Sequence, residues 1–360
     1  MKYLSEYRDS DLAVKIINDI KSKVTKPWKI MEVCGGQTHS LVKNGILELL
    51  PDKITMIHGP GCPVCVTPLN LIDKAIYLAE KKKVILCSFG DMIRVPGSEK
   101  SLLQIKAEGA DVRILYSPSD AVKIAKENPD KEVVFFAVGF ETTAPANAIS
   151  VLQAKQWGLK NYSILVSHVL VPPAIEAIMN DEETRIDAFL GAGHVLAIMG
   201  LEKYYPIAEK YKVPLVASGF EPVEMLNAIR TAVEMLENSN YGVANAYSRV
   251  VKSEGTPSAQ KIIFDVFIEA DREWRGIGNI PLSGYELKDE FRDFDANLKF
   301  EIDIKKANES EICIAGSVLK GIKKPIECPA FGKICNPENP LGAPMVSSEG
   351  ACAAYYNFYN

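Results

Sequence analysis

The stretch Val133-Val134-Phe135-Phe136-Ala137-Val138, followed at once by Gly139-Phe140-Glu141, decides the fold class. It is an apolar run of β-branched and aromatic residues that ends on a glycine and a carboxylate. Such a run predicts a strand buried on both faces, which is typical of parallel sheets. Segments with apolar residues at helical spacing, such as 121–127, lie between this run and its neighbours. The alternation predicts an α/β fold built from βα units.

Runs of this kind form two series along the chain. The first is 30–33, 54–57, 84–86 and 112–116, and the second is 133–138, 162–166, 186–190 and 214–217. A glycine and a carboxylate follow a strand at 88–91, 138–141 and 218–221, an internal echo that indicates duplication. We therefore predict two small parallel-sheet α/β domains of similar topology, 28–130 and 131–238. Ligands of open α/β folds bind at the carboxyl edge of the sheet, where these echoes fall.

The C-terminal third has a different character. Residues 257–274 predict an amphipathic helix, and from Gly276 onward Gly, Pro and Cys dominate with few periodic segments. Because a loop-rich region of this length buries little apolar surface, we expect a bound metal centre to hold it together. We predict a third domain with helices at 239–360, to which residues 1–27 are a candidate addition. The helical pattern at 11–24 could pack on it.

Composition excludes several classes of protein. The net charge of −5, from 41 basic and 46 acidic residues without a long basic run, argues against a nucleic-acid partner. No apolar stretch reaches the roughly 18 residues that span a bilayer, and the start lacks the apolar core of a signal peptide. We therefore predict a cytoplasmic protein with no membrane partner. In that reducing compartment, eight cysteines indicate metal, cluster or redox chemistry instead of a disulfide framework.

Four of these cysteines lie in the C-terminal region, at Cys313, Cys328, Cys335 and Cys352. Four thiolates are what a 4Fe-4S cluster requires, one for each iron. The spacing lacks the paired Cys-x-x-Cys knuckles of a zinc ribbon and the compact run of a bacterial ferredoxin. A cluster is the leading interpretation. Zinc and unrelated buried cysteines remain alternatives.

Two further thiol motifs follow the first two predicted strands. Cys34 ends a strand and precedes two glycines and a helical pattern, so the helix N-terminus should lower its thiol pKa. His39, five residues on, could bind the same metal. Cys62 and Cys65 form a Cys-x-x-Cys motif at the end of the next strand, whose sulfurs can form a disulfide or share a metal. Adjacent strand ends would bring Cys34 near this pair.

Other polar residues at strand ends are weaker candidates. The carboxylates of Asp91 and Glu141 could act as acids, as bases or as partners of a ligating His, or they could cap the following helices. The patterns leave His168 and His194 open between structural and site roles. Cys87 lies inside an apolar run and is predicted to pack in the core.

Taken together, five motifs resemble the HypD family over nearly the whole chain. They are the segments 32–39, 59–65, 89–98, 139–145 and 345–356. Two departures are minor. Some family members have His where this chain has Gln37. This chain therefore lacks one possible ligand, which makes His39 the stronger candidate. Some have Cys where this chain has Pro344, so that position is not an essential ligand here.

The resemblance implies a function in the assembly of nickel-iron hydrogenase. It implies a 4Fe-4S cluster on the four C-terminal cysteines, a labile iron on Cys34 with His39 as a helper, and a redox-active pair at Cys62 and Cys65. The iron would be held between this protein and a HypC-type small chaperone while cyanide, from a HypE-type donor, and carbon monoxide are attached. The hydrogenase large subunit would then receive it. The protein would be an assembly scaffold more than a conventional turnover enzyme.

Two other functions are also compatible with the sequence. In one, an iron-sulfur-dependent protein disulfide reductase passes electrons to a substrate protein through Cys62 and Cys65. In the other, zinc stabilises a binding module without redox chemistry.

Overall fold

The computed structural model describes residues 6–302, 304 and 309–359. The α-helices are α1 Ser10–Lys23, α2 Gly35–Lys43, α3 Ile46–Leu49, α4 Pro63–Val66, α5 Leu69–Ala79, α6 Leu102–Ala107, α7 Pro118–Glu127, α8 Ala144–Gln156, α9 Val171–Met179, α10 Gly193–Met199, α11 Tyr205–Tyr211, α12 Pro222–Glu237, α13 Pro257–Val266, α14 Ala296–Phe300, α15 Ala315–Leu319 and α16 Ala351–Phe358. The strands are β1 Trp28–Glu32, β2 Ile54–His58, β3 Val84–Ser88, β4 Val112–Ile114, β5 Glu132–Gly139, β6 Tyr162–His168, β7 Ala188–Ala192, β8 Pro214–Ser218, β9 Gly242–Asn245, β10 Phe267–Trp274 and β11 Gly278–Leu287.

Two parallel sheets form the centre of the molecule. One has the order β2-β1-β7-β8-β9 and the other the order β4-β3-β5-β6. In both sheets, the strand that comes second in sequence order lies at one edge, beside the first strand. The third and fourth strands in sequence order lie on the opposite side of the first strand. The first sheet adds β9 at its edge. The prediction of parallel α/β units with similar topology is therefore confirmed.

The assignment of strands to sheets is corrected by the structure. β1 pairs with β7, where Ile30 lies opposite Ala188, so the chain leaves the first sheet after β2, builds the whole second sheet and then returns. The predicted boundary after residue 130 falls between β4 and β5, which belong to the same sheet. Each βα unit has the same local pattern whichever sheet it joins, and sequence order alone does not reveal which strands pair.

Both faces of each sheet are covered. Along β5, Val133, Phe135 and Ala137 contribute to one apolar cluster, while Val134 and Phe136 contribute to another. Burial on both faces explains why the strand is continuously apolar in sequence. Cys87 is fully buried in the first of these clusters, as predicted.

The first helix packs on the first sheet's layer instead of on the C-terminal region. Asp9 caps α1 by accepting a hydrogen bond from the Leu12 N–H, at 3.0 Å. Its buried residues Ile16, Ile17 and Ile20 belong to the same apolar cluster as residues of α12. The sequence had left open whether this helix packs on the C-terminal region.

The C-terminal region is loop-rich, as predicted, but one predicted helix is shorter. α13 ends at Val266, and Phe267–Trp274 forms β10 of an antiparallel hairpin with β11. Beyond this hairpin the helices α14, α15 and α16 are short. Within the described ranges, every helix is too short or too polar to cross a membrane.

Candidate redox and metal-binding site

The two N-terminal thiol motifs touch each other at the carboxyl edge of the first sheet. Cys34 lies just beyond β1 and caps α2, where its carbonyl oxygen accepts the N–H groups of Gln37 and Thr38 at 2.9 and 3.1 Å. The Gly35 N–H donates to the carbonyl of Gly61 at 2.9 Å. A Cβ at Gly61 would overlap the backbone of Cys34, so glycine is needed for this approach. Cys62 follows directly, and the predicted convergence of the two motifs is confirmed.

The imidazole beside Cys34 belongs to His194. The Cys34 Sγ lies 3.8 Å from its Nδ1 and 3.7 Å from its Nε2. His194 lies near the start of α10 and stacks on Phe220, with ring centroids 5.0 Å apart. Burial lowers the pKa of His194 to about 4, so the ring is neutral near pH 7. A neutral imidazole next to a thiol forms a soft pair of metal ligands.

The Cys34 thiol is protonated at neutral pH, contrary to the expectation from its helix N-terminus. Its side chain is only 2% exposed. Burial raises the pKa of the thiol, the carboxylates of Glu349 and Glu32 raise it further, and the nearby backbone N–H groups lower it less. Desolvation therefore outweighs the helix end. A metal cation that displaces the proton would restore the thiolate.

His39 occupies a different position from the one predicted. Its Nδ1 donates to the carbonyl of Ser348 at 3.1 Å, and its ring meets Phe358 edge-on at 5.2 Å. These contacts attach α2 to the C-terminal segment. Its role as a helper ligand of iron stays a prediction.

Cys62 and Cys65 form a disulfide at the start of α4, with their Cα atoms 5.2 Å apart. Both are buried, and they belong to the same apolar cluster as Cys34. Pro63 occupies the first turn of α4, where its fixed φ suits the helix start and no N–H is lost. A disulfide pair and a single thiol thus share one buried region.

A buried hydrogen-bonded chain connects the Cys34 loop to the C-terminal helix α16. The Glu32 carboxylate accepts the Cys34 N–H at 2.9 Å and the hydroxyl of Thr38, and it lies 2.8 Å from His58 Nδ1. The His58 Nε2 lies 3.1 Å from the Tyr355 hydroxyl. Nδ1–H therefore donates to Glu32, and Nε2 accepts from Tyr355. Burial raises the pKa of Glu32, and the contact with His58 opposes that effect.

The four C-terminal cysteines gather in one place. Cys335 is buried with Ala330 and Met345, and Cys328 and Cys352 pack against this cluster. The Leu341 N–H points at the Cys335 Sγ at 3.4 Å. Burial raises the pKa of the Cys352 thiol, and the other three cysteines raise it further, which places all four within electrostatic reach of one another.

The four thiols supply the number of sulfur ligands that a 4Fe-4S cluster would take, one for each iron. In the part of the chain that the structure describes, no three Cys, His, Asp or Glu side chains are close enough to hold one metal ion. Whether these thiols bind a cluster or zinc stays a prediction.

The two predicted carboxylates anchor loops. Asp91 accepts hydrogen bonds from Arg94 at 3.1 Å and from Ser347 at 2.8 Å, which attaches its loop to the 345–356 motif. Glu141 accepts the N–H of Val171 at 3.0 Å and so caps α9, not the helix that follows it in sequence. Burial raises the pKa of the Glu141 carboxyl to about 7. Their catalytic roles stay predictions.

His168 is structural in this arrangement. It is fully buried, and its Nε2 lies 2.6 Å from Asn147 Nδ2. Burial lowers its pKa to about 3, so the ring stays neutral.

The chain is similar to known proteins over almost its whole length. A family model for HypD, described as "Hydrogenase formation hypA family", matches residues 11–359. The chain belongs to the HypD family. Its relatives include "Hydrogenase maturation factor HypD2" of Bradyrhizobium diazoefficiens, 44% identical over 368 residues that cover 99% of this chain and 97% of the relative. "Hydrogenase maturation factor HypD" of Azotobacter vinelandii is 44% identical, with 99% and 97% covered, and that of Escherichia coli 43%, with 99% and 98%.

In this HypD family chain, sequence reasoning missed three residues that complete the site. His194 was left undecided, and Tyr355 and Glu349 were not singled out. The pairing of Glu32 with His58 had a signal, since both end adjacent predicted strands and lie opposite each other in the register of β1 and β2. The contacts of Tyr355 and Glu349 had none, because they cross more than 290 residues.

Proposed function

We propose that the chain acts in the cytoplasm in hydrogenase maturation, as a scaffold on which an iron atom receives cyanide and carbon monoxide. The observation that carries the proposal is the position of the Cys34 Sγ, which lies beside the neutral His194 ring, in the buried apolar cluster that also contains the Cys62–Cys65 disulfide. Cyanide and carbon monoxide bind low-spin ferrous iron, and soft donors favour such a site. The iron is the cargo, destined for the large subunit of a nickel-iron hydrogenase.

Loading of the iron involves a proton at a defined atom. The Cys34 thiol is protonated at neutral pH, and iron replaces that proton at Sγ. One nitrogen of the neutral His194 ring carries a lone pair within 3.8 Å of the sulfur, so it can donate to the metal. The proton that iron displaces leaves to solvent, because the pKa of His194, about 4, is too low for the ring to hold it at neutral pH. Glu32 holds the Cys34 N–H and thereby sets the orientation of the loop.

Access to Cys34 requires a partner. Phe220 lies against Gly36, and Glu349 closes over Gly35, so the sulfur is covered from two sides. We propose that a HypC-type small chaperone displaces these covers and shares the iron, and that a HypE-type donor supplies cyanide to the complex.

Cys313, Cys328, Cys335 and Cys352 would hold a 4Fe-4S cluster. The cluster supplies electrons one at a time when bound. The Cys62–Cys65 disulfide takes up two electrons and two protons to become a dithiol, so this pair and the cluster would together store electrons for the iron site.

The proposal is tested by infrared spectroscopy of the complex isolated without oxygen after co-production with the HypC-type and HypE-type partners. We expect bands of metal-bound cyanide and carbon monoxide that are lost in Cys34→Ala and kept in Cys87→Ala, which removes a buried thiol from the other sheet. Absence of the bands from the unaltered complex would count against the proposal.

A second candidate function is an iron-sulfur-dependent protein disulfide reductase, which the disulfide at Cys62 and Cys65 favours. Cys34→Ala distinguishes the two. A reductase would keep its thiol exchange and support full hydrogenase maturation in this variant, whereas the scaffold would lose maturation. Metal analysis separates both from a zinc-binding module, which would contain zinc and no iron.

A further inference from the structure

The tip of the β10–β11 hairpin lies between the disulfide helix and the four-cysteine region. The Arg275 N–H donates to the carbonyl of Val66, the last residue of α4, at 2.8 Å. The next residue, Gly276, has φ +74° and packs directly on Gly316 in α15. Cys313 lies just before this helix. The hairpin tip is therefore the physical link between the dithiol motif and one cysteine of the proposed cluster.

The side chain of Arg275 is a buried cation with an unsatisfied donor. It is 5% exposed, and its Nε donates to Glu309 at 3.0 Å. Its Nη1 is buried and has no hydrogen-bond partner among the described residues. A guanidinium remains charged at any physiological pH, and a buried donor without a partner is costly. This geometry indicates that an anionic acceptor belongs at Nη1.

Glu309 already accepts from Nε, and Cys313 lies further along the same segment, just before the helix on which the hairpin tip packs. A cluster held by four thiolates is anionic and becomes more negative on reduction, and its net charge and hydrogen bonds set its potential.

We propose that Arg275 is a positioning residue for the cluster, whose Nη1 donates to sulfur at the Cys313 corner and stabilises the reduced form. Because its backbone holds α4, the same residue fixes the separation between the cluster and the disulfide. The inference rests on the proposed function, since it requires a cluster on the four cysteines. A neutral residue at this position should make the cluster harder to reduce.

The test compares Arg275→Gln and Arg275→Lys with Arg272→Gln. Arg272 lies on the same hairpin, also has a buried Nε without a partner in the described chain, and bonds Glu286 and Tyr285. Full-length proteins are purified without oxygen, iron and acid-labile sulfide are measured, and the cluster is titrated with paramagnetic resonance detection. We expect Arg275→Gln to keep the cluster and to shift its one-electron equilibrium at least tenfold toward the oxidised form, about 59 mV.

Arg275→Lys should shift the equilibrium less, and Arg272→Gln should not shift it. Loss of the cluster from Arg275→Gln that Arg275→Lys restores would also support the proposal, since lysine supplies the positive charge that glutamine lacks. An unchanged midpoint in a fully loaded Arg275→Gln protein would overturn it, as would equal cluster loss in both Arg275 variants. Unaltered protein that contains zinc or no iron would instead overturn the proposed function.

Discussion

The carboxylate of Glu32 and the imidazole of His58 lie 2.8 Å apart at the ends of two paired strands. Glu32 also holds the N–H of Cys34, and His58 contacts the hydroxyl of Tyr355 on the helix that carries Cys352. A single buried chain of hydrogen bonds therefore connects the iron-ligand candidate to the cluster region. A structural change at the Cys34 loop can therefore reach helix α16 through these hydrogen bonds.

Removing the hydroxyl at the end of this chain should destabilise the protein. Tyr355→Phe leaves His58 Nε2 as a buried acceptor without a partner, which costs about 1–3 kcal/mol of unfolding free energy. Urea denaturation of the metal-free protein measures the change. Tyr356→Phe is the matched control, because Tyr356 is 44% exposed, and it should stay within about 0.5 kcal/mol of the unaltered protein. Equal stability of the two variants would argue against a buried hydrogen bond between Tyr355 and His58.

His194 should matter more than His39 for binding of iron at Cys34. His194→Ala removes the only imidazole that contacts the Cys34 Sγ within the described residues, so we expect at least a tenfold loss of ferrous iron affinity at this site. His39→Ala, which removes contacts to Ser348 and Phe358, should lose less. Anaerobic calorimetry measures both. The reverse order would restore His39 as the ligand predicted from sequence.

The stability of the protein should depend on pH through Glu141. Its pKa is about 7 in the folded chain, against an ordinary value of about 4.3, so the folded state holds the proton more tightly. The contribution of this group to stability is complete below about pH 4.3 and is lost as pH rises through 7, by roughly 4 kcal/mol in total. Glu141→Gln keeps an acceptor for Val171 but cannot ionise, so its unfolding free energy should fall less between pH 5 and 7.5.

The effect of Glu141 is measured by comparing Glu141→Gln with the unaltered protein, because the contribution of His168 to stability depends on pH in the opposite direction. Its pKa of about 3 means that its contribution is lost as pH falls below its ordinary value of about 6.5. Glu127→Gln, at an exposed site, is the control and should behave like the unaltered protein. Identical pH profiles for Glu141→Gln and the unaltered protein would contradict the assignment.

The disulfide gives a countable prediction. Six cysteines are free and two are bonded in the structure. After unfolding and removal of metal, oxidised protein should therefore take up six maleimide labels, and reduced protein should take up eight. Mass spectrometry reads the difference, and in Cys62→Ser the number should be the same with and without reductant. Eight labels on oxidised protein would show that the pair is not bonded.

Much of the fold follows from local pattern. β5 and the centre of β6, residues 164–166, are continuous apolar runs because both faces of these strands are covered, and this made the strands recognisable from sequence. The division of strands between sheets was not recognisable, because the pairing of β1 with β7 depends on contacts across more than 150 residues. Phe267–Trp274 was assigned to a helix, yet it forms a strand because β11 pairs with it. Tertiary pairing overrides local preference there.

The candidate site was only partly predictable for the same reason. The prediction that the Cys34 and Cys62 motifs lie close together was correct, because parallel strands end at the same edge of the sheet. The protonation of Cys34 was not predictable, because it depends on burial by Phe220 and Glu349, which come from distant segments. Arg275 had no signal in sequence at all. The role that we propose for it at the cluster depends on its neighbours and on its unpaired Nη1, which only the structure shows.

The central claim is that Cys34 holds an iron atom in addition to those of the cluster. Its most direct measurement is the iron content of the complex with the HypC-type partner, isolated without oxygen, for the unaltered chain and for Cys34→Ala. We predict about five irons per chain for the former and about four for the latter, since a 4Fe-4S cluster accounts for four. Equal iron content in the two complexes would contradict the account.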